Sequence, residues 1–254
     1  MAEGDSILRA AKRIDAALAG QAVSVRAPSP RGRAAGVGAL DGRRLRRAES
    51  HGKNLLLRFD AGLVLHSHLG MNGSWHLYAT GARWGRPARQ AWVALTAEDR
   101  EAVQFGGSTL RVLEERRMRL DPVLGRLGPD ILAADFDPAA AAASLRAAGP
   151  DRELGDALLD QRLLAGVGHI FKSEGCFAAG VDPRRALGEL PEDQLLEAIG
   201  ATRELMAEAV RSGRHPHEVY RRAGRRCRRC GATVRSRGQG DANRSSYWCE
   251  GCQR

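Results

Sequence analysis

Two cysteine pairs near the carboxyl end limit what this chain can fold into more than any other feature. Cys227-x-x-Cys230 is followed, after eighteen residues, by Cys249-x-x-Cys252. Each pair suits a tight knuckle that aims two thiolates at one metal, and two knuckles make a closed tetrahedral site, the usual home of one structural zinc ion. The surrounding charge narrows the reading. Ten arginines and no lysine lie in 221–254, against only Asp241 and Glu250. A metal knuckle this basic suits the grip of a polyanion. The alternative is a ribbon that staples the tail or docks a protein.

The rest of the 254-residue chain agrees with an anionic partner: its net charge is +10 and its pI about 10.2. Lysine occurs only at Lys12, Lys53 and Lys172, against thirty-seven arginines. Outside the two pairs only Cys176 is left, so a disulfide framework is not expected and a reducing, cytoplasmic setting is. No apolar run reaches the length of a membrane span and no secretory leader is visible, so no membrane association is expected.

Hydrophobic spacing divides the chain. Ile7, Leu8, Ala11, Ile14 and Leu18 share one face of a helix expected over Asp5–Leu18 and ended by Gly20. From Val23 to Glu114 the texture is that of short strands: Asn54–Phe59, Leu63–His68, Ala91–Thr96 and Glu101–Phe105, separated by breaks such as Asp60-Ala-Gly62 and Gly106-Gly107. Strands without intervening helices predict an antiparallel sandwich or barrel. Pro122, Pro129 and Pro138 punctuate a linker. Helices are then expected over Ala139–Ala148, Glu153–Leu159, Ile170–Ala179 and Pro191–Ser212. Between the second and third, Leu164-Ala-Gly-Val-Gly168 predicts a tight turn; it suits either structure alone or close approach of backbone N–H groups to a phosphate. The fold class is therefore α+β and multidomain: a β-sandwich with an N-terminal helix over 1–120, a linker over 121–137, a helical domain over 138–222 and a zinc finger over 223–254.

The amino terminus reads Met1-Ala2-Glu3. Removal of Met before a small residue would expose the Ala2 amine. An α-amine has a pKa of about 7.7–8.0, against about 10.4 for lysine, so far more of it is an uncharged nucleophile at neutral pH. Such amines form Schiff bases with sugar aldehydes, and Glu3 is placed to shuttle protons.

Several blocks resemble one family of DNA repair enzymes, the formamidopyrimidine-DNA glycosylase/endonuclease VIII family. They are Glu3-Gly-Asp-Ser-Ile-Leu-Arg-Ala-Ala11, Ser50-His-Gly-Lys53-Asn54, His66-Ser-His-Leu-Gly-Met71-Asn-Gly-Ser-Trp75, Gly128-Pro-Asp130, the segment 158–174 around Leu164-Ala-Gly-Val-Gly168, and the cysteine tail. The 158–174 segment is similar to the family's helix–two-turn–helix and the tail to its zinc finger. The blocks occur in order along nearly the whole chain.

The resemblance implies a bifunctional enzyme that flips a damaged base out of duplex DNA, cleaves its glycosidic bond through the N-terminal amine, and nicks the strand by β- and δ-elimination. It implies that Ala2 is the nucleophile, that Glu3 protonates the sugar ring oxygen, and that Lys53 contacts phosphate and assists elimination. Arg244 would clamp the phosphates flanking the lesion, a task suited to a planar guanidinium. Gly70, Met71 and Asn72 match the loop whose apolar tip fills the hole left by the flipped base. Arg126 and His169 match further DNA-contacting positions, and Glu174 a position near the lesion. Damaged double-stranded DNA is the implied partner, bound in a cleft by a bacterial protein acting as a monomer and associated with the nucleoid.

Two positions depart from the family pattern. Ala2 stands where the family carries proline, so the iminium that proline forms directly is replaced by an imine that must be protonated. His169 stands where asparagine is usual, and still offers a hydrogen bond to phosphate. The segment 213–226 is short, and purine-specific members carry a longer capping loop there; the resemblance is therefore to the endonuclease VIII branch, which favours oxidised pyrimidines. A protein that binds damage without cleaving, having lost the proline, is the alternative. A zinc-ribbon RNA-associated protein is a third reading, which the N-terminal blocks argue against.

Overall fold

The computed structural model describes residues 2–239 and 244–254. The chain divides into two compact units, 1–126 and 127–254.

The first unit opens with helix α1 (Gly4–Leu18). Its apolar residues recur every three to four positions, which gathers them on one stripe. Ile7, Ala11, Ile14 and Leu18 are all buried there. Each of the larger three contributes roughly 1.5–3 kcal/mol by leaving water. The stripe packs on a core shared by two four-stranded antiparallel sheets. One has the order β2 (Leu45–His51), β3 (Asn54–Phe59), β4 (Leu63–His68), β8 (Thr109–Glu114). The other runs β1 (Ser24–Arg26), β6 (Ala91–Thr96), β7 (Arg100–Phe105), β5 (Ser74–Ala79). Leu55, Leu57, Phe59 and Leu65 from the first meet Val93, Leu95 and Ala102 from the second, as a face-to-face sandwich requires.

Three of the expected strands have the observed bounds, and the fourth begins one residue earlier, at Arg100. β1, β2, β5 and β8 were not foreseen. β2 reads Leu-Arg-Arg-Ala-Glu-Ser-His and offers water two exposed arginines; β1 has only three residues. The expectation of strands without helices between them fails once. A five-residue helix, α2 (Pro30–Ala34), is capped by Ser29, whose Oγ accepts from the Gly32 N–H at 3.3 Å. Gly32 lets it lie against the sheet, because a Cβ there would sit 1.6 Å from the Trp92 carbonyl oxygen.

The second unit holds α3 (Pro138–Arg146), α4 (Leu154–Ala157), α5 (His169–Ala178) and α6 (Glu192–Ser212), followed by a hairpin of β9 (Val234–Gln239) and β10 (Arg244–Cys249). Asp137 caps α3 by accepting from the Ala139 and Ala140 N–H groups, with Pro138 in the first turn. α6 ends at Gly213, whose φ of 72° suits a left-handed cap. Leu145, Leu154, Leu158, Phe171, Leu195, Ile199 and Met206 form the core, joined by Ile131 and Phe136 from the segment before α3. A smaller cluster of Phe177, Val219, Val234, Cys227 and Cys249 lies under the hairpin. The fold class is thus α+β, with an antiparallel sandwich bearing an N-terminal helix and a helical unit bearing a four-cysteine hairpin. Among the described residues no helix is long and apolar enough to cross a membrane.

Candidate active site and nucleic-acid interface

The amino terminus is held by its own first turn. The Ser6 hydroxyl accepts from the Glu3 N–H at 3.1 Å and donates to the Glu3 carbonyl at 2.8 Å. This leaves Ala2 half-buried and the Glu3 side chain fully buried at the N-cap of α1. A carboxylate at that end is favoured by the helix dipole. Ala2 opens onto a cavity of about 310 Å³ that is also lined by Ser6, Arg9, Arg13, Leu69, Met71 and His76. Two of the nominated residues, Ala2 and the loop-tip Met71, therefore face one space. Arg13 and Arg86 add to burial in lowering the His76 pKa.

The loop carrying Met71 is rigidly based. Gly70 takes a φ of 59° and donates its N–H to His68 Nδ1 at 3.2 Å. Gly73 donates its N–H to the Leu69 carbonyl at 2.9 Å. A Cβ at Gly73 would lie 2.5 Å from that oxygen. Ser108 ties the loop to the neighbouring segment through the His68 carbonyl. Met71 itself is 72% exposed, and Asn72 is exposed beside it. Leu120 and Val123 are the other large hydrophobics exposed among the described residues.

Lys53 sits at the two-residue turn of the β2–β3 hairpin, next to Gly52 with φ 56°. His68 is held below its ordinary pKa by burial and by the Lys53 ammonium, so the lysine lies close to the base of the Met71 loop. Arg126 is exposed on a turn over Leu124–Arg126. Asp121 caps that turn by accepting from the Val123 and Leu124 N–H groups, each at 3.0 Å.

In the second unit a glutamine closes the two-turn segment. Gln161 Oε1 accepts from the Gly166 N–H at 3.0 Å, and its Nε2 donates to the Leu159 and Val167 carbonyls. Gly166 takes a φ of 107°. The Gly128-Pro-Asp130 strap lies along this segment: the Gly128 N–H donates to the Gln161 carbonyl and the Ala165 N–H to the Pro129 carbonyl, both at 2.9 Å. His169 is half-buried as the first residue of α5.

Glu174 is not directed at a ligand surface. It is buried, and its carboxylate accepts from the backbone N–H groups of Glu218 (2.9 Å), Val219 (3.0 Å) and Tyr220 (2.7 Å). It anchors the chain between α6 and the cysteine knuckles. Lys172, two residues earlier and fully buried, donates to the Ser245 carbonyl at 3.0 Å and to the Ser246 hydroxyl. That bond seats β10 on α5. Arg244 begins β10, its backbone opposite Gln239; its side chain lies outside the described atoms, as do Asn243 and Met1.

The four cysteines come together. All four sulfurs lie within 4.8 Å of one another, with Cys227–Cys252 at 3.8 Å and Cys230–Cys249 at 3.4 Å. Tetrahedral Zn–S bonds of about 2.3 Å place sulfurs about 3.8 Å apart, so the donor set fits one metal ion. Burial and the neighbouring sulfurs push the Cys249 and Cys252 thiols up, while against burial the Cys230 and Arg229 N–H groups hold Cys227 down, to about 7.

A larger cavity, about 700 Å³, lies under the 80–90 loop between Arg26, Trp84, Arg86 and Glu101 and contains none of the nominated residues. Its acid is fully engaged, accepting from Arg26, Trp84 and Thr96 at 2.6–2.8 Å. These bonds outweigh burial and hold the carboxyl below its usual range. That cavity is a seam of the fold, and the smaller one is the candidate site.

Residues 1–119 match the formamidopyrimidine-DNA glycosylase N-terminal domain and residues 127–220 the formamidopyrimidine-DNA glycosylase H2TH domain. A probable endonuclease 8 2 of Streptomyces coelicolor is 44% identical over all of this chain and 94% of its own length. The chain belongs to the formamidopyrimidine-DNA glycosylase family, in its endonuclease VIII-like branch. A DNA-(apurinic or apyrimidinic site) lyase of Mycolicibacterium smegmatis is 37% identical across all of this chain and 99% of its own. In fold, the chain is similar to the Lactococcus lactis formamidopyrimidine-DNA glycosylase solved with DNA containing an abasic site, with a TM-score of 0.83, 21% identity and full coverage of both chains.

Sequence reasoning missed what supports these family positions. Arg9 and Arg13 line the cavity because α1 turns that face toward it, a placement that helical spacing alone would have allowed. Asn54 and His66 fall within the quoted blocks, but their meeting with Arg111 and Asp121 behind Lys53 and Arg126 carried no local signal, because it depends on strand register.

Proposed function

We propose that this protein is a DNA repair glycosylase with AP lyase activity, acting on oxidised bases, chiefly pyrimidines, in duplex DNA. The observation that carries the reading is the shared cavity: an amino-terminal residue and an exposed apolar loop tip face one space, beside a buried acid. In this scheme Met71 fills the stack where the base has left, with Gly70 and Asn72 shaping the tip. With Met1 removed, the Ala2 nitrogen uses its lone pair to form a bond to C1′ as the bond from C1′ to the base breaks, and the base leaves with that electron pair and a proton. Glu3 delivers a proton to the ring oxygen as the C1′–O4′ bond opens and the nitrogen lone pair forms C=N, giving a protonated imine. The protonated imine draws electrons as a C2′ proton is lost and the 3′ phosphate leaves. Loss of a C4′ proton then expels the 5′ phosphate. Lys53 and Arg244 hold the phosphates that leave, and Arg126 and His169 grip the backbone.

Residues 1–120 are assigned the chemistry, 138–222 the duplex grip and 223–254 the metal-held finger, joined by 121–137. Zinc suits the four-thiolate set better than harder cations. The protein is proposed to act as a bacterial monomer that joins the nucleoid through DNA. Incubation with duplex containing thymine glycol or an abasic site, followed by borohydride, should link protein covalently to DNA at the Ala2 nitrogen, located by mass spectrometry. Intact binding without such a link would replace this reading with that of a damage-binding protein.

A further inference from the structure

Four side chains connect the Lys53 hairpin to the Arg126 turn inside the first unit. His66 lies on β4 and is 1% exposed; Asn54 faces it from β3 and is 4% exposed. His66 Nδ1 is 3.0 Å from Arg111 Nε. A guanidinium can only donate, so Nδ1 is the bare nitrogen and the proton sits on Nε2. Nε2–H then donates to Asn54 Oδ1 at 2.9 Å. With its oxygen so engaged, the Asn54 amide turns its NH2 to the His51 carbonyl at 3.2 Å, across the turn that presents Lys53. In the other direction Arg111 Nη2 pairs with Asp121 at 2.8 Å, and Asp121 holds the amides that form the turn of Arg126. Donor and acceptor polarity is therefore fixed along the whole path. Leu56, directly opposite His66, and Val64 are buried on the same face of these two strands, so an apolar filling was open to this sequence. A buried polar network costs stability unless fully satisfied, and rewards the fold with a single arrangement when it is.

We infer that His66 is a positioning residue for strand cleavage: in its neutral, Nε2-protonated form it holds the Lys53 hairpin apex and the Arg126 turn in one frame. The inference rests on the roles proposed above for those two cations. His66 reaches neither DNA phosphate nor sugar in this scheme; it acts through Asn54 on one side and Arg111 on the other.

Backbone hydrogen exchange on the full protein and its His66→Phe variant tests the frame without reference to activity. Exchange should quicken together at 51–54 and at 123–126, while the β1–β6 pairing at 24–26 keeps its protection. Quickening at one segment only, at neither, or equally throughout the sandwich overturns the inference. A double-mutant cycle tests the link to function. His66→Phe and Lys53→Ala should each slow nicking of abasic duplex at least several-fold, and the double variant should lose clearly less than the product of the two, the remaining extra loss being that of the Arg126 turn. Multiplied losses would overturn it. An inert Lys53→Ala would instead remove the role proposed for Lys53, leaving the exchange result to decide the frame. His66→Gln, which keeps a donor toward Asn54, should restore part of the rate.

Discussion

In the proposed scheme Ala2 attacks through a primary amine, and the imine it would form is an electron sink only when protonated. Ala2→Pro should therefore raise the yield of borohydride-trapped complex several-fold on abasic duplex, measured by gel shift at equal occupancy; an unchanged yield would show that imine protonation is not limiting. His66 supplies a pH signature at the same scale. Burial, then the Arg111 charge, lowers its pKa to about 4, with His68 adding to this and Asp121 opposing it. The folded value lies below the unfolded value of about 6.5. The neutral ring's contribution is thus complete above pH 6.5 and shrinks as pH falls from there toward 4, by on the order of 3 kcal/mol. Melting temperature followed across that window should fall in the wild type and fall less steeply in His66→Phe.

Among the elements, the Gly128 strap and the Glu174 anchor lead to separate expectations. A Cβ at Gly128 would lie 2.6 Å from the Arg162 carbonyl oxygen and 2.7 Å from the Leu163 carbonyl carbon. Both are backbone atoms, so neither can rotate away, and Gly128→Ala should cost about 1–3 kcal/mol, read by denaturant titration. Glu174→Ala strands three amides, of which the two buried ones, on Val219 and Tyr220, each cost about 1–3 kcal/mol if left unpaired, and should loosen 218–220 in hydrogen exchange. The sequence showed elements wherever one pattern dominated a run. Asn54–Phe59 and Leu63–His68 are apolar stretches between breaks, and α1 has a clean stripe. β8 was hidden because its Thr-Leu-Arg-Val alternation is short and breaks at Leu113. The cysteine knuckles were legible because metal coordination fixes the spacing locally. The role of Glu174 was not, because its three partners lie more than forty residues away along the chain.

On the scale of the molecule, charge and metal should act together. Each phosphate neutralised steepens the fall of log affinity against log salt by about 0.9. Arg126→Ala should reduce that slope by about one phosphate's share, measured by fluorescence anisotropy at several salt concentrations. Stripping the metal, with loss verified by elemental analysis, should release the small cluster under the hairpin and weaken duplex binding, while the sandwich keeps its own melting transition. The identity of the candidate site followed from chemistry-bearing residues in short blocks. Its supports did not, because Arg111 reaches His66 only through the pairing of β4 with β8.

The ammonium of Lys172 gives the finger an address. It donates to Ser245 and Ser246, so a hairpin transplanted to a foreign host would part from two of the bonds that seat it. The two cysteine knuckles are portable in principle; the strand between them and its arginine belong to this helix.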